Sequence, residues 1–137
     1  MKKWRIKMNV PSNLLFSKTH EWVRIEENIA YLGLTDFAQD KLGQIVFVDL
    51  PELNQEIKEK EQVAEVESVK AVAEFFSPVS GKVVKVNEDL LDSPEQINEN
   101  PYDSWFVAVE LSDQSELENL LNPQKYEALL MEEEENH

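Results

Sequence analysis

A single lysine, Lys70, stands in the middle of a long run of apolar and β-branched residues. Val, Ala and Phe are frequent over residues 63–76, a composition that favours β-strands over helices. Burying an unpaired ammonium is costly, so the lysine must occupy a turn or an exposed tip between two strands. The sequence therefore predicts a β-hairpin with Lys70 at its tip. Such a lysine is either simply solvated or a site of covalent modification that turns its amine into an amide.

The turn residues along the chain predict a mainly β protein with a few short helices. Residues 22–26 and 29–32 have the composition of two strands joined by a tight turn. Thr35 as N-cap and Gly43 just past the end predict a short helix over residues 36–42. Further strands are predicted over residues 45–50, 63–69, 71–76, 83–86 and 105–111.

The two ends of the chain differ from its middle. Residues 1–11 include an alternation of apolar and basic or polar side chains, which predicts an N-terminal extension and a possible extra edge strand. Residues 115–118 fit a capping box ahead of a short helix, and a second helix is predicted to begin at Pro123. Residues 132–137 are expected to form an acidic, solvated tail. We therefore expect one domain over residues 12–131.

The composition disfavours several classes of function. The chain has 28 acidic and 13 basic residues, a net charge of −15. This balance disfavours nucleic acids and anionic membranes as partners and favours proteins with basic patches. The chain contains no cysteine, so any thiol chemistry must come from a cofactor. No apolar segment is long enough to cross a bilayer and no secretory-type apolar core is present, so we expect a cytoplasmic protein.

Catalytic and metal-binding patterns are weak. Two histidines, His20 and His137, do not make an ordinary zinc site without cysteine. The glycines Gly33, Gly43 and Gly81 form no phosphate-binding loop. A Ser-His-acid triad through His20 stays open, although no nucleophile-elbow pattern supports it. The residues alone therefore favour no particular reaction and no metal site.

Residues 67–71, with the sequence ESVKA, resemble the lipoyl-attachment motif of glycine cleavage system H proteins. Further similar segments lie in order on both sides, and the resemblance covers roughly residues 17–126. Together these segments are far more specific than any one alone. They include residues 20–23 (HEWV), 33–35 (GLT), 47–51 (FVDLP), 77–83 (SPVSGKV) and 100–102 (NPY).

The resemblance implies both a fold and a cofactor. The fold is the barrel-sandwich hybrid, or hammerhead, of lipoyl and biotinyl domains, with short helices that include a C-terminal helical segment. The cofactor is lipoate, covalently attached to Lys70. Glu67 and Gly81 match positions, three before and eleven after the lysine, that matter to lipoylating enzymes. Each also has an ordinary alternative role: Glu67 as a surface carboxylate, and Gly81 as a turn glycine with positive φ.

The resemblance also implies a non-catalytic carrier role in the glycine cleavage system. The carrier shuttles an aminomethyl group from glycine decarboxylase (P protein) to aminomethyltransferase (T protein), and electrons to dihydrolipoamide dehydrogenase (L protein). In the family the loaded arm lies in a surface cleft, whose polar positions match Thr19, Glu21 and Glu74, with Leu34 and Ala38 along its apolar part. A carboxylate facing a protonated amine forms a strong, charge-assisted hydrogen bond. The alternatives are a surface charge for Glu21 and plain core for Leu34 and Ala38.

The chain departs from the family pattern at three places. Gln44 replaces the usual acid, Asn54 replaces a usual glycine, and residues 103–104 replace the customary glycine before Trp105. Asparagine tolerates positive φ, so Asn54 can substitute for glycine. The departures leave two alternatives open: an H-like lipoyl protein that serves sulfur oxidation or lipoyl relay, and an unmodified interaction domain that keeps only the fold.

Overall fold

The computed structural model describes residues 8–135, and within them antiparallel β-sheet dominates. The strands are β1 (Leu15–Phe16), β2 (Glu21–Glu26), β3 (Ile29–Leu34), β4 (Ile45–Val48), β5 (Glu56–Ile57), β6 (Gln62–Ser68), β7 (Val72–Phe76), β8 (Gly81–Val86) and β9 (Val107–Leu111). One sheet has the order β1-β2-β3-β9-β8-β5, and the other has the order β4-β6-β7. The predicted hairpins around residues 27–28 and around Lys70 are both present.

Short helices connect and cover the sheets. They are α1 (Asp36–Leu42), α2 (Asp89–Asp92), α3 (Gln96–Glu99), α4 (Pro123–Glu135) and a 3₁₀ helix (Gln114–Asn119). The prediction for α1 is confirmed, because Thr35 accepts the Ala38 N–H at 3.2 Å and Gly43 ends the helix with φ +80°. The predicted capping box was wrong: Asp113, and not Ser115, caps the 3₁₀ helix. In the described part of the chain, no helix has the length and apolar character needed to span a bilayer.

The main core lies between the two sheets. Along β6 the side chains of Ala64, Val66 and Ser68 are buried while the residues between them are exposed, the period of two expected for a half-buried strand. Phe75 of β7 stacks on Phe106, just before β9, with ring centroids 4.5 Å apart. Two sheets enclosing one core confirm the mainly β class and the barrel-sandwich hybrid.

A second cluster lies on the other side of the six-stranded sheet, under α4. Tyr126 of α4 is fully buried and stacks on Phe16 of β1, with ring centroids 4.4 Å apart. Trp22 of β2 belongs to the same cluster. The helix continues beyond residue 131, so the predicted acidic tail is helical as far as Glu135. The C-terminal helix is therefore part of the packed structure.

The N-terminal extension is described only in part. Residues 1–7, which carry most of the predicted edge strand, lie outside the described residues. Residues 8–11 are in no strand. Asn9 instead contacts the start of α1: its N–H donates to Asp36 at 3.0 Å, and its carbonyl accepts from Tyr102 Oη at 2.6 Å.

Candidate cofactor-attachment site and cleft

Lys70 lies at the exposed tip of the β6–β7 hairpin. Ser68 closes the turn, since its N–H donates to the Ala71 carbonyl at 2.8 Å. The Ser68 hydroxyl also accepts the N–H groups of Lys70 and Ala71, at 3.2 and 3.1 Å. Ser68 itself is only 6% exposed. A buried serine thus fixes the backbone of the turn and leaves the lysine at the surface.

The hairpin tip is tied to the loop between α1 and β4. The Val69 N–H donates to the Gln44 carbonyl at 3.0 Å. Asn98 of α3 braces that loop on both sides of Gln44: its Oδ1 accepts from the Ile45 N–H at 2.9 Å, and its Nδ2 donates to the Gly43 carbonyl at 2.8 Å. The position of the tip therefore depends on a side chain from a helix about 30 residues farther along the chain.

The Lys70 ammonium is accessible. Its aliphatic stem passes over Gly43, where a Cβ would lie 3.5 Å from Lys70 Cε. Within residues 8–135 its Nζ forms neither a hydrogen bond nor an ion pair. A modifying enzyme can therefore reach the nitrogen without breaking an internal contact.

The two positions predicted to matter for lipoylation lie in different environments. Glu67 is exposed on β6, next to the turn and paired with Val72 of β7. Gly81 is buried at the start of β8, where a Cβ would collide with the backbone carbonyl oxygen of Glu110. Close approach of β9 gives Gly81 a structural requirement of its own, separate from any part in recognition.

Glu21 is a buried carboxyl with three hydrogen-bond donors. Its Oε1 accepts from the hydroxyls of Ser17 and Thr19, each at 2.5 Å, and its Oε2 accepts from the Phe76 N–H at 3.1 Å. The residue has no exposed surface. Burial raises the pKa of Glu21 to about 7, although the hydrogen bonds favour the charged form. Near neutral pH this carboxyl gains or loses a proton readily.

The turn before β2 builds this environment. The Ser17 N–H donates to the Glu21 carbonyl at 2.9 Å, the His20 N–H donates to the Ser17 carbonyl at 3.1 Å, and His20 has φ +76°. The Ser17 hydroxyl in turn accepts the Glu21 N–H at 3.0 Å. Ser17 was not among the predicted site residues. Its only sequence signal is its place in a polar run just before a strand, which is common in turns.

A surface cleft of about 540 Å³ lies beside Glu21. It is lined by Ser17, Lys18, Thr19, Glu21, Glu59, Lys60, Phe76, Ser77, Pro78, Asn119 and Leu120. Its lining therefore combines an apolar surface with the hydroxyls that hold Glu21. A cleft with a buried carboxyl and hydroxyl acceptors suits a ligand that carries an apolar chain and a cationic head.

The structure brings together some of the predicted cleft residues and separates others. Thr19 and Glu21 share the cleft and are directly hydrogen-bonded. Glu74 is exposed on β7 and is not among the residues that line it. Leu34, 4% exposed, belongs to the main core, and Ala38 packs against that core.

Two departures from the family pattern have clear structural substitutes. Asn54 has φ +71°, so the residue adopts the backbone conformation predicted for it. Ser104 is buried, and its hydroxyl donates to the carbonyls of Gln96 and Asn100 at 3.0 and 2.7 Å. Ser104 thus satisfies backbone acceptors of α3 at the place of the customary glycine.

Comparisons with known proteins find similar sequences and a similar fold. The sequence matches the family described as "Glycine cleavage H-protein" over residues 14–133. Glycine cleavage system H proteins from Oceanobacillus iheyensis and Staphylococcus epidermidis are each 52% identical over 126 residues, which is 91% of this chain and 100% of each relative. The crystal structure of a glycine cleavage system H protein from Mycobacterium marinum is similar with a TM-score of 0.78 and 31% identity, covering 85% of this chain and 95% of that one. The chain belongs to the glycine cleavage H-protein family.

Proposed function

We propose that Lys70 is the residue on which this chain carries its lipoyl group. As a member of the glycine cleavage H-protein family, the chain is a lipoyl carrier of the glycine cleavage system. The observation that carries the assignment to Lys70 is its accessible amine at the tip of a hairpin whose backbone is held by Ser68 and Gln44. The lipoyl group supplies the disulfide and thiol chemistry for which this chain has no cysteine.

The surroundings of Lys70 fit an attached acyl group. Amide formation removes the lysine charge, and the stem already lies against Gly43 rather than against a carboxylate. Val69 and Val72 beside it are 66% and 60% exposed, an apolar setting for a neutral arm. We propose that lipoylating enzymes recognise this tip through its shape and through Glu67, with Gly81 keeping β8 in place against β9.

We further propose that the cleft at Glu21 receives the cationic end of the carrier's cargo. Thr19 and Ser17 hold the carboxylate in place at the wall of the cleft. Since Glu21 has no exposed surface, a protonated amine donates to this carboxylate only when a neighbouring side chain such as Thr19 moves aside. Along β7 the distance from Lys70 to the cleft residue Phe76 is about 20 Å at ~3.3 Å per residue. Glu74 lies on the same face of β7 two residues before Phe76, so a second carboxylate borders that path.

The parts proposed for Leu34 and Ala38 stay predictions. Both lie in or against the main core, which supports a structural role for them. The proposed partners are glycine decarboxylase, aminomethyltransferase, dihydrolipoamide dehydrogenase and the lipoylating enzymes. We propose that the chain supplies position and binding to these enzymes and that the chemistry takes place on their cofactors.

Intact-mass measurement tests the attachment site. Protein co-expressed with a lipoylating enzyme should gain the mass of one lipoyl group, Lys70→Arg should gain none, and Lys82→Arg should behave as wild type. Lys82 is the control because it is equally an exposed lysine, but lies on strand β8 and not at a hairpin tip. Lipoylated wild type should then support glycine–bicarbonate exchange by glycine decarboxylase. Wild type left unmodified by an enzyme that lipoylates the Staphylococcus epidermidis relative would overturn the proposal.

A further inference from the structure

A strip of exposed side chains, apolar at both ends and acidic in the middle, crosses the outer face of the three-stranded sheet next to Lys70. Phe47, Glu67 and Val72 are paired across β4, β6 and β7, so their side chains lie side by side on one face. Phe47 is 51% exposed, and the neighbouring Val46 is 45% exposed. Single exposed apolar residues are ordinary, but several on one face of a sheet indicate a binding surface. The strip places such a surface directly beside the lysine.

The strip runs into a groove of about 410 Å³ between the loop that follows β4 and the segment that joins β8 to α2. Phe47 belongs to both the strip and the groove. Leu53 and Leu91, 57% and 52% exposed, are further apolar residues of the groove. The groove is lined by Phe47, Val48, Asp49, Leu50, Pro51, Glu52, Leu53, Val86, Glu88 and Leu91. A large apolar side chain can therefore bury surface there that the isolated chain leaves in water.

The charges around the groove have one sign. Asp49, Glu52 and Glu88 are the charged residues among its described lining, and all three are exposed acids. Glu67 adds a further carboxylate between the groove and the hairpin tip. An apolar centre with an acidic rim complements a partner whose apolar anchor is flanked by lysine or arginine.

We propose that this groove docks a segment of a glycine cleavage system enzyme that acts on the arm of Lys70. The segment presents one large apolar side chain with basic residues beside it. The proposal rests on the proposed function, because any enzyme that reaches the hairpin tip must also cover Val69 and Val72. From Val72 the strip continues across Glu67 to Phe47, which belongs to the groove. Docking at the groove fixes the enzyme while the arm stays free to enter its active site.

Kinetics with the lipoylated carrier test the apolar contact. The double variant Leu53→Ser/Leu91→Ser should raise the KM for the carrier at least tenfold with at least one of the three enzymes, a loss of about 1.4 kcal/mol. The kcat should be unchanged, since neither residue touches Lys70 or the cleft at Glu21. Met131→Ser is the matched control, because Met131 is 51% exposed on α4, and its KM should equal that of wild type.

The charged rim has its own test. Glu52→Gln/Glu88→Gln should raise the same KM and weaken its dependence on salt, because fewer opposite charges are screened. Glu118→Gln/Glu127→Gln changes net charge equally at two exposed sites away from the groove and should leave the KM within twofold of wild type.

The outcomes separate the two proposals. Each variant is first shown by intact mass to be fully lipoylated. Wild type that all three enzymes use normally, together with a groove double variant of equal KM, would overturn the groove proposal alone. Sedimentation that shows a dimer dissociated by Leu53→Ser/Leu91→Ser would also overturn it, because a second copy would then occupy the groove. Lipoylated wild type that none of the enzymes uses would overturn both proposals.

Discussion

Burial of the Glu21 carboxyl destabilises the folded protein but leaves a carboxylate that a cationic ligand can pair with. The fold buries its carboxyl completely and surrounds it with Ser17, Thr19 and the Phe76 N–H. Lys18 and Lys60 line the same cleft, but among the described residues neither forms an ion pair with it. The carboxylate is therefore hydrogen-bonded yet has no countercharge, and a cationic ligand would supply one.

The pKa of Glu21 predicts how stability depends on pH. The pKa is about 7 in the folded protein and 4.5 ordinarily, so between these values the folded state holds a proton that the unfolded state has lost. Stability from this group is full below pH 4.5 and falls as the pH rises to 7, by at most about 1.4 kcal/mol per pH unit. Glu21→Gln lacks this titration. The unfolding free energy of Glu21→Gln minus that of wild type should therefore increase by about 2 kcal/mol from pH 5 to pH 7.5, because only wild type loses stability over this range.

Urea unfolding of both proteins at the two pH values measures this difference. The Gln side chain can still accept from the Phe76 N–H and donate to a hydroxyl oxygen, which limits other effects of the substitution. A stability difference that is the same at pH 5 and pH 7.5 would contradict the raised pKa.

At the scale of elements, the β6–β7 hairpin depends on support from outside its own sheet. The connection runs from Asn98 of α3 to the loop at Gly43 and Ile45, and from the Gln44 carbonyl to the Val69 N–H. Asn98 also donates to the Gln39 side chain of α1 at 2.9 Å. The Asn98 amide thus joins α3 to α1 and to the loop between α1 and β4, and this loop holds the hairpin tip through the bond from Val69 to Gln44.

Replacing Asn98 by Asp should loosen the hairpin tip. The new carboxylate can still accept from Ile45, but its second oxygen faces the Gly43 carbonyl, where the amide donated a hydrogen bond. We expect a loss of about 1–3 kcal/mol in stability. We also expect faster hydrogen exchange of the Val69 amide and slower lipoylation of Lys70.

Hydrogen exchange can distinguish this local effect from general destabilisation. The Leu111 N–H, which donates to the Asn28 carbonyl at 3.0 Å, lies in another part of the protein and serves as the internal reference. Asn100→Asp, an exposed position just after α3, is the matched variant and should leave the Val69 amide unchanged. Equal acceleration of the Val69 and Leu111 amides in Asn98→Asp would argue against a specific brace.

At the scale of the whole molecule, signals within short stretches of sequence were enough for the strands, for α1 and for the lysine tip. Thr35 and Gly43 cap a helix by local geometry. The cost of burying an ammonium requires a lysine within a β-rich run to be exposed, either at a turn like Lys70 or on a strand face like Lys82. Helices α2 and α3 have four residues each, too few for apolar periodicity, so they were not predicted.

Contacts between distant parts of the chain were likewise beyond prediction. The brace by Asn98, the donation from the Phe76 N–H to Glu21 and the contacts of α4 join residues that only the completed fold brings together. His20 and Tyr126, which lie 106 positions apart, are an example. A sequence pattern carries local backbone preference, whereas these contacts depend on the packing of the two sheets and α4.

One such set of contacts ties α4 to the rest of the protein. Tyr126 Oη donates to Thr35 Oγ1 at 2.8 Å and lies 2.8 Å from His20 Nδ1. The other ring nitrogen of His20 lies 3.0 Å from a carboxylate oxygen of Glu133. Burial lowers the pKa of His20, and the nearby Glu133 carboxylate opposes that shift. Thr35 is also the N-cap of α1, so these bonds connect α4 to the helix that leads into the loop under Lys70.

Tyr126→Phe tests whether α4 and the sheets unfold as one unit. The variant keeps the ring stacked on Phe16 but leaves the Thr35 and His20 polar atoms without their shared partner, which should cost about 1–3 kcal/mol. Far-ultraviolet circular dichroism and tryptophan fluorescence should report one urea transition with a lower midpoint and an unchanged slope. Lys125→Ala, exposed on the same helix, should stay within about 0.5 kcal/mol of wild type. Two separated transitions would show that α4 unfolds by itself. The hydrogen bonds at Thr35 would then not couple the stability of α4 to that of the sheets and the hairpin at Lys70.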